Sequence, residues 1–229
     1  MLIVLLGPPG AGKGTQGAIL QERYNLLRIS TGDLVREEIA KRSELGRSIQ
    51  QIVESGKFPS DEIIINMVSQ KLRSEAKGWI FDGVPRTRIQ AEMLDILLTQ
   101  INEKINAVIE LKVDEKKLED RISSRYACAR CGHLYSKYVK PQREGLCDGC
   151  GSRNFIRRAD DSVETLKTRL SVYHEKTEPL IEFYKKKGIF HEVDGMAEVE
   201  DVTRQIEEII NALQRNKGLE RKSMISVDF

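Results

Sequence analysis

The sequence predicts an α/β fold, a mainly parallel sheet covered on both faces by helices, with two segments inserted into it. Three observations predict it. Short apolar runs alternate with amphipathic helical patterns along most of the chain, the order that builds parallel strands joined by crossover helices. The first apolar run passes through a glycine-rich turn directly into a helical pattern. Two stretches, 30–59 and 127–161, interrupt this rhythm, the first entirely helical and the second rich in Cys, Gly, Arg and aromatic residues.

Taken in order, residues 2–6 read as a buried strand closed by Gly-Pro-Pro-Gly, and 14–24 as a helix. Residues 27–29 form a short strand, after which Ser30 or Thr31 caps a helix running to about Arg42. Helices follow at 46–54 and 61–73, the second capped by Ser60. The apolar strand 79–81 ends in Asp82. A helix at 87–101, a strand at 107–111 and a helix at 114–126 come next. The pattern then breaks until one long helix, 162–187, bent at Pro179. Strand 189–193 and helix 199–213 close the fold, and the polar tail 215–229 is expected to be flexible. The core is thus expected to comprise 1–29, 60–126 and 162–214.

Lys plus Arg number 37 and Asp plus Glu 35, so a net charge of +2 exerts no general pull toward nucleic acid or membrane. Residues 1–6 lack a basic flank and are too short for a signal-peptide core, and no run approaches a membrane span. A reducing cytosol is the expected compartment, and a monomer the expected state, since no long apolar helix face is left over.

Gly7-Pro8-Pro9-Gly10-Ala11-Gly12-Lys13-Gly14-Thr15 lies between a predicted strand and a predicted helix, the context a Walker A phosphate loop requires. The glycines let backbone N–H groups of Gly10, Ala11, Gly12, Lys13, Gly14 and Thr15 turn toward anionic oxygens, and the helix dipole adds to the attraction. Lys13 can reach the β- and γ-phosphates of ATP. Gly14 displaces the usual hydroxyl residue by one position, to Thr15. The expected fold is therefore a three-layer P-loop NTPase. Asp82, at the end of an apolar strand, is placed as the carboxylate that holds the water shell of Mg²⁺. Asp33 either joins that shell or stabilises its helix N-terminus.

Cys128-Ala-Arg-Cys131 and Cys147-Asp-Gly-Cys150 form two C-x₂-C pairs, the spacing of a four-cysteine zinc site. Two disulfides are the competing account, and the expected compartment argues against them. Four thiolates close the coordination shell, so the zinc is expected to be structural. His133, beside Cys131, is assigned a surface role, and His174 and His191 are assigned none.

The phosphate loop, Ser30-Thr31-Gly32-Asp33 and Asp82-Gly83-Val84-Pro85-Arg86-Thr87 together resemble the adenylate kinase family, over nearly the whole chain from Met1 to about Leu213. The cysteine pairs resemble the zinc-bearing lid of its long-lid bacterial members. The resemblance implies reversible transfer of the terminal phosphoryl group of ATP to AMP, giving two ADP, with Mg²⁺ as the nucleotide's metal and zinc in the lid. It implies that 30–59 is a helical insert that binds the monophosphate and 127–161 a lid. Thr31, Arg36, Lys57, Phe58, Pro59, Gly83, Val84, Pro85 and Gln90 resemble the AMP site, with Gln90 reading the adenine edge. Arg86 and Arg169 resemble the arginines that grip the AMP phosphate and the transferring group. Arg125 and Arg158 resemble those that close on the ATP phosphates, with Arg158 also reaching AMP. Arg121 resembles the arginine stacked on the ATP adenine, Leu134 and Tyr135 a lid contact to ATP, and Ala197 a backbone contact to adenine. Val84 departs from the family's Phe, which removes an aromatic contact near AMP. UMP, CMP or GMP as acceptor is the nearest alternative. A zinc-ribbon protein that binds nucleic acid under ATP control, through the basic run 153–158, is an alternative of another class.

Overall fold

The structure, a computed structural model, describes the backbone of residues 1–225 except 56, 73–75 and 159–160, and side chains as far as residue 215. Arg73 at the end of a predicted helix, Asp160 at the lid boundary and the last residues of the tail, 226–229, lie outside the described residues.

Five parallel strands form the central sheet in the order β2-β3-β1-β4-β8: β1 (Leu2–Leu6), β2 (Leu27–Ser30), β3 (Trp79–Asp82), β4 (Ala107–Lys112) and β8 (Phe190–Asp194). Because strand side chains alternate, β1 feeds two cores. Leu2, Val4 and Leu6 pack with Ile29, Phe81 and Val108 against α4 (Asp61–Leu72), α5 (Arg88–Gln100) and α8 (Pro179–Lys186). Ile3 and Leu5 pack with Ile80 and Ile109 against α1 (Lys13–Tyr24) and α9 (Val199–Ile225). A sheet buried on both faces must be apolar on both, which explains why the strands read as unbroken apolar runs. The chain leaves β1 toward β2 on one side and crosses from β3 to β4 on the other. The glycine loop after β1 therefore opens at the topological switch point, where an open α/β sheet leaves a crevice.

After β2 come α2 (Thr31–Ala40) and α3 (Glu44–Glu54), the first capped by the Ser30 hydroxyl, which accepts from Asp33 N at 3.3 Å. The second insert contains a small antiparallel sheet in the order β6-β5-β7: β5 (Tyr126–Cys128), β6 (Leu134–Tyr135) and β7 (Phe155–Ile156). The helix expected over 114–126 is shorter than predicted: a 3₁₀ turn at Glu115–Lys117 leads into α6 (Leu118–Ser123). Tyr126 is drawn out of it to pair with Tyr135 across the small sheet.

The long helix at 162–187 breaks as expected before Pro179. It comprises α7 (Val163–Val172), a π turn at Tyr173–Thr177, and α8. Pro179 cannot donate into the helical ladder, and Glu178 N instead reaches back to Tyr173 O at 2.9 Å, five residues away. The last helix runs beyond Leu213 to Ile225, because Lys, Glu, Arg, Leu and Met sustain a helix after its apolar stripe has ended. Among the described residues, no helix is long and apolar enough to cross a membrane.

Candidate active site

The glycine loop after β1, Thr31 at the start of α2, and Asp82 and Gly83 at the end of β3 lie together at the C-terminal edge of the sheet. The loop after β1 takes left-handed backbone at Gly10 (φ 84°) and Gly12 (φ 103°), conformations that side chains disfavour. Gly12 stands at the N-cap of α1, so the helix dipole points into the loop. Lys13 folds back over it: Nζ donates to the carbonyl oxygens of Gly7 at 2.6 Å and Pro8 at 2.9 Å. Burial lowers the Lys13 pKa, Asp82 pulls it up, and the positive charges of Arg86, Arg169 and Arg125 lower it again. The result is about 7 instead of 10.5. Negative charge placed at that position would restore the full ammonium.

Asp82 ends β3 beside Leu5, directly next to the loop. Arg28, on β2, lies under both: Nη1 donates to Gly14 O at 2.9 Å and stands 3.5 Å from Asp82 Oδ2, while Nη2 meets Asp33. Arg36 donates to the other Asp33 oxygen at 2.5 Å. Burial raises the Asp33 pKa, but Arg28 and Arg36 outweigh it and hold the carboxyl below its ordinary value. Asp33 is thus held by two arginines and one helix cap. Arg28 was not singled out in the sequence. Its partners come from α1, α2 and β3, and only the strand order brings them together. Gly17 makes room for it, since a Cβ there would lie 2.8 Å from Arg28 Cδ.

Two clefts open above this floor, with about 670 and 390 Å³ of empty space that includes open solvent. The larger is walled by Thr31, Arg36, Lys57, Pro59 and Gln90. The smaller is walled by the phosphate loop, Lys13, Pro85 and the π-turn residues Tyr173 and Thr177. Phe58, Gly83, Arg86 and Arg169 line both. Gly83 is required there: at φ 81° a Cβ would lie 2.7 Å from the Thr31 hydroxyl and 2.8 Å from Arg86 Nη2. Gln90 is buried, its amide donating to Asp61 Oδ1 at 2.8 Å and accepting from Arg86 N at 2.8 Å. One N–H and one lone pair of that amide remain beyond these two bonds. Val84 is buried in the core, and the aromatic ring beside Arg86 belongs to Phe58.

Comparison with known proteins agrees with this geometry. The adenylate kinase family model matches residues 5–189. The chain belongs to the adenylate kinase family. An adenylate kinase of Paracoccus denitrificans is 45% identical over 92% of this chain and 97% of its own length. One of Novosphingobium aromaticivorans is 46% identical over 93% and 100%, and one of Archaeoglobus fulgidus 43% identical over 93% and 100%. As a member of the adenylate kinase family, the chain is a nucleoside monophosphate kinase with an α/β P-loop kinase fold.

In this adenylate kinase family member, the second insert lies against the core. Leu134 Cδ1 lies 3.4 Å from where a Cβ on Gly14 would be, and Lys137 and Tyr138 both bond Asp120 of α6. Tyr135 turns inward: its hydroxyl donates to Asp148 Oδ2 at 3.2 Å and lies 3.5 Å from Cys147 Sγ. Arg125 makes a two-pronged ion pair with Asp161, one prong at 2.7 Å. Arg158 is half-buried at the end of the insert. Arg121 donates to Gly195 O at 2.9 Å, near Ala197, with Tyr138 5.9 Å away over its face. His133 is exposed, its ring tilted 32° to that of Tyr135 at 4.8 Å, while His174 bridges Glu178 at 2.8 Å and Glu115 at 3.0 Å.

The four cysteines converge. All four sulfurs lie within 4.8 Å of one another, with Cys128–Cys150 at 3.6 Å and Cys131–Cys147 at 3.4 Å. These distances exclude disulfides, whose sulfurs sit near 2.05 Å. Four sulfurs held tetrahedrally at 2.3 Å from one zinc would lie about 3.8 Å apart, so the donor set fits that ion.

Proposed function

We propose that the protein transfers the terminal phosphoryl group of ATP to AMP, reversibly, giving two ADP. The observation that carries this reading is the pair of clefts sharing Arg86 and Arg169, with Lys13 on the donor side. A phosphoryl group passing between two bound nucleotides must cross that shared wall. Such transfer needs alignment and charge neutralisation more than a base, and guanidinium forks supply both. ATP would lie on the loop, with Lys13 at its β- and γ-phosphates and its adenine between Arg121 and Ala197. AMP would lie in the larger cleft, its phosphate on Arg36, Arg86 and Arg169 and its base near Gln90 and 57–59.

Asp82 and Thr15 offer hard oxygen donors of the kind Mg²⁺ prefers, and one carboxylate suffices where phosphates supply the remainder. When bound there, Mg²⁺ neutralises charge on the phosphates in transit. Residues 127–161 would act as a lid whose closure brings Arg125 and Arg158 onto the phosphates and excludes water. Its hinges would lie near 125–127 and 160–162. Zinc on the four cysteines would keep that lid rigid and take no part in the transfer. The protein would work as a cytoplasmic monomer. Measuring ADP formation from ATP with AMP, UMP, CMP and GMP tests the whole reading; preference for another monophosphate, or no transfer at all, would overturn it.

Two further outcomes are expected. Arg86→Lys keeps the charge but loses the fork, and kcat/KM for AMP should fall about 10- to 100-fold. Wild-type kinetics would remove Arg86 from the acceptor clamp. Elemental analysis of protein purified without added metal should find about one zinc per chain. Metal-free protein with all four cysteines reduced and the lid folded would refute the zinc site.

A further inference from the structure

We infer that the Phe58 side chain is a positioning residue for Arg86: it presets the guanidinium in the shared wall before either nucleotide arrives. This rests on the acceptor role proposed for Arg86. Phe58 lies on the connection between α3 and α4, followed by Pro59, which biases Phe58 toward extended backbone and is itself buried. Its ring lies 4.0 Å from Arg86 Cζ, with the guanidinium over the face. Arg86 Nε donates to Gly83 O at 2.7 Å. The Arg86 backbone is secured on both sides, its N–H by Gln90 Oε1 and its carbonyl by the Thr177 hydroxyl at 2.9 Å. Main chain, one edge and one face of this arginine are therefore all fixed by neighbours.

The chemistry of the face contact suits the task. Lys13 and Arg169 line the same cleft as Arg86, and like charges at close range drive a long side chain apart. An aromatic face attracts the cation through its quadrupole and occupies no N–H donor. The ring orients the fork without competing for the anion. Binding strength that would otherwise go into ordering the arginine then appears as affinity and rate for the acceptor.

The test compares Phe58→Met, which conserves apolar bulk without a ring, with Phe58→Tyr, which keeps the ring. AMP binding is measured by calorimetry without ATP, kcat and KM by ADP formation, and folding by thermal unfolding. Phe58→Met should lower AMP affinity and kcat/KM for AMP by roughly 2- to 30-fold, and Phe58→Tyr should restore most of the loss. In an Arg86→Ala background, Phe58→Met should add little. Folded Phe58→Met with wild-type AMP binding overturns the inference, as does Phe58→Tyr losing as much as Phe58→Met. Phe58→Met costing as much without Arg86 as with it would make the ring a wall for the base, and also overturns it. Wild-type behaviour of Arg86→Ala itself would instead remove the acceptor reading beneath it, a distinguishable result.

Discussion

Replacing Lys13 by alanine is expected to lower turnover by about a hundred- to a thousandfold while leaving the protein folded. The ammonium is anchored by two loop carbonyls and is positioned to meet charge that moves during transfer. The fold should tolerate the change: Lys13 belongs to neither core, and alanine is the best helix former at the first position of α1. Melting temperature should hold or rise, because a charge made costly by burial is gone. Near-normal ADP formation by a folded variant would remove Lys13 from the mechanism.

The second large effect concerns stability. Changing both Cys147 and Cys150 to serine should lower the apparent melting temperature by about 10 °C or more. The apolar support around the cysteines is thin: among the described residues, Cys128, Tyr135 and Cys147 are buried there, with Tyr126, Cys150 and Phe155 packed on them. Without a metal, a cluster that small cannot hold three two- and three-residue strands together. Part of the activity should survive in the cold, since the cysteines touch neither cleft. Melting and ADP formation measured on one sample decide it. Wild-type stability with complete loss of turnover would make the metal catalytic.

What the sequence reveals of this site depends on how locally each part is built. Gly10, Gly12 and Lys13 are legible because strand, turn and helix dipole follow each other within a few residues. The cysteine pairs are legible for the same reason. Arg28 is not, because its meaning comes from Gly14, Asp33 and Asp82, which meet only when β2, β3 and β1 align in register. Asp61 is missed likewise: it reads as a first-turn helix acid, yet it accepts from both Thr87 and Gln90. Helical periodicity also overruns α6, because nothing in residues 124–126 announces that Tyr126 will find strand partners more distant in sequence. At α9 the error is opposite, since a periodicity search stops where the apolar stripe stops, while helix propensity continues.

The clustering of Lys13, Arg86, Arg125 and Arg169 has a thermodynamic side. Positive charges gathered around a cleft favour an anion that enters it, so a bound nucleotide would add to the stability of the fold. Its resistance to heat is then a function of nucleotide supply, growing as the logarithm of free ligand: about 2.7 kcal/mol at a hundredfold excess over Kd, and more beyond. Saturating nucleotide should therefore raise the apparent melting temperature. Without bound nucleotide that increment is lost, and the apparent melting temperature should fall accordingly.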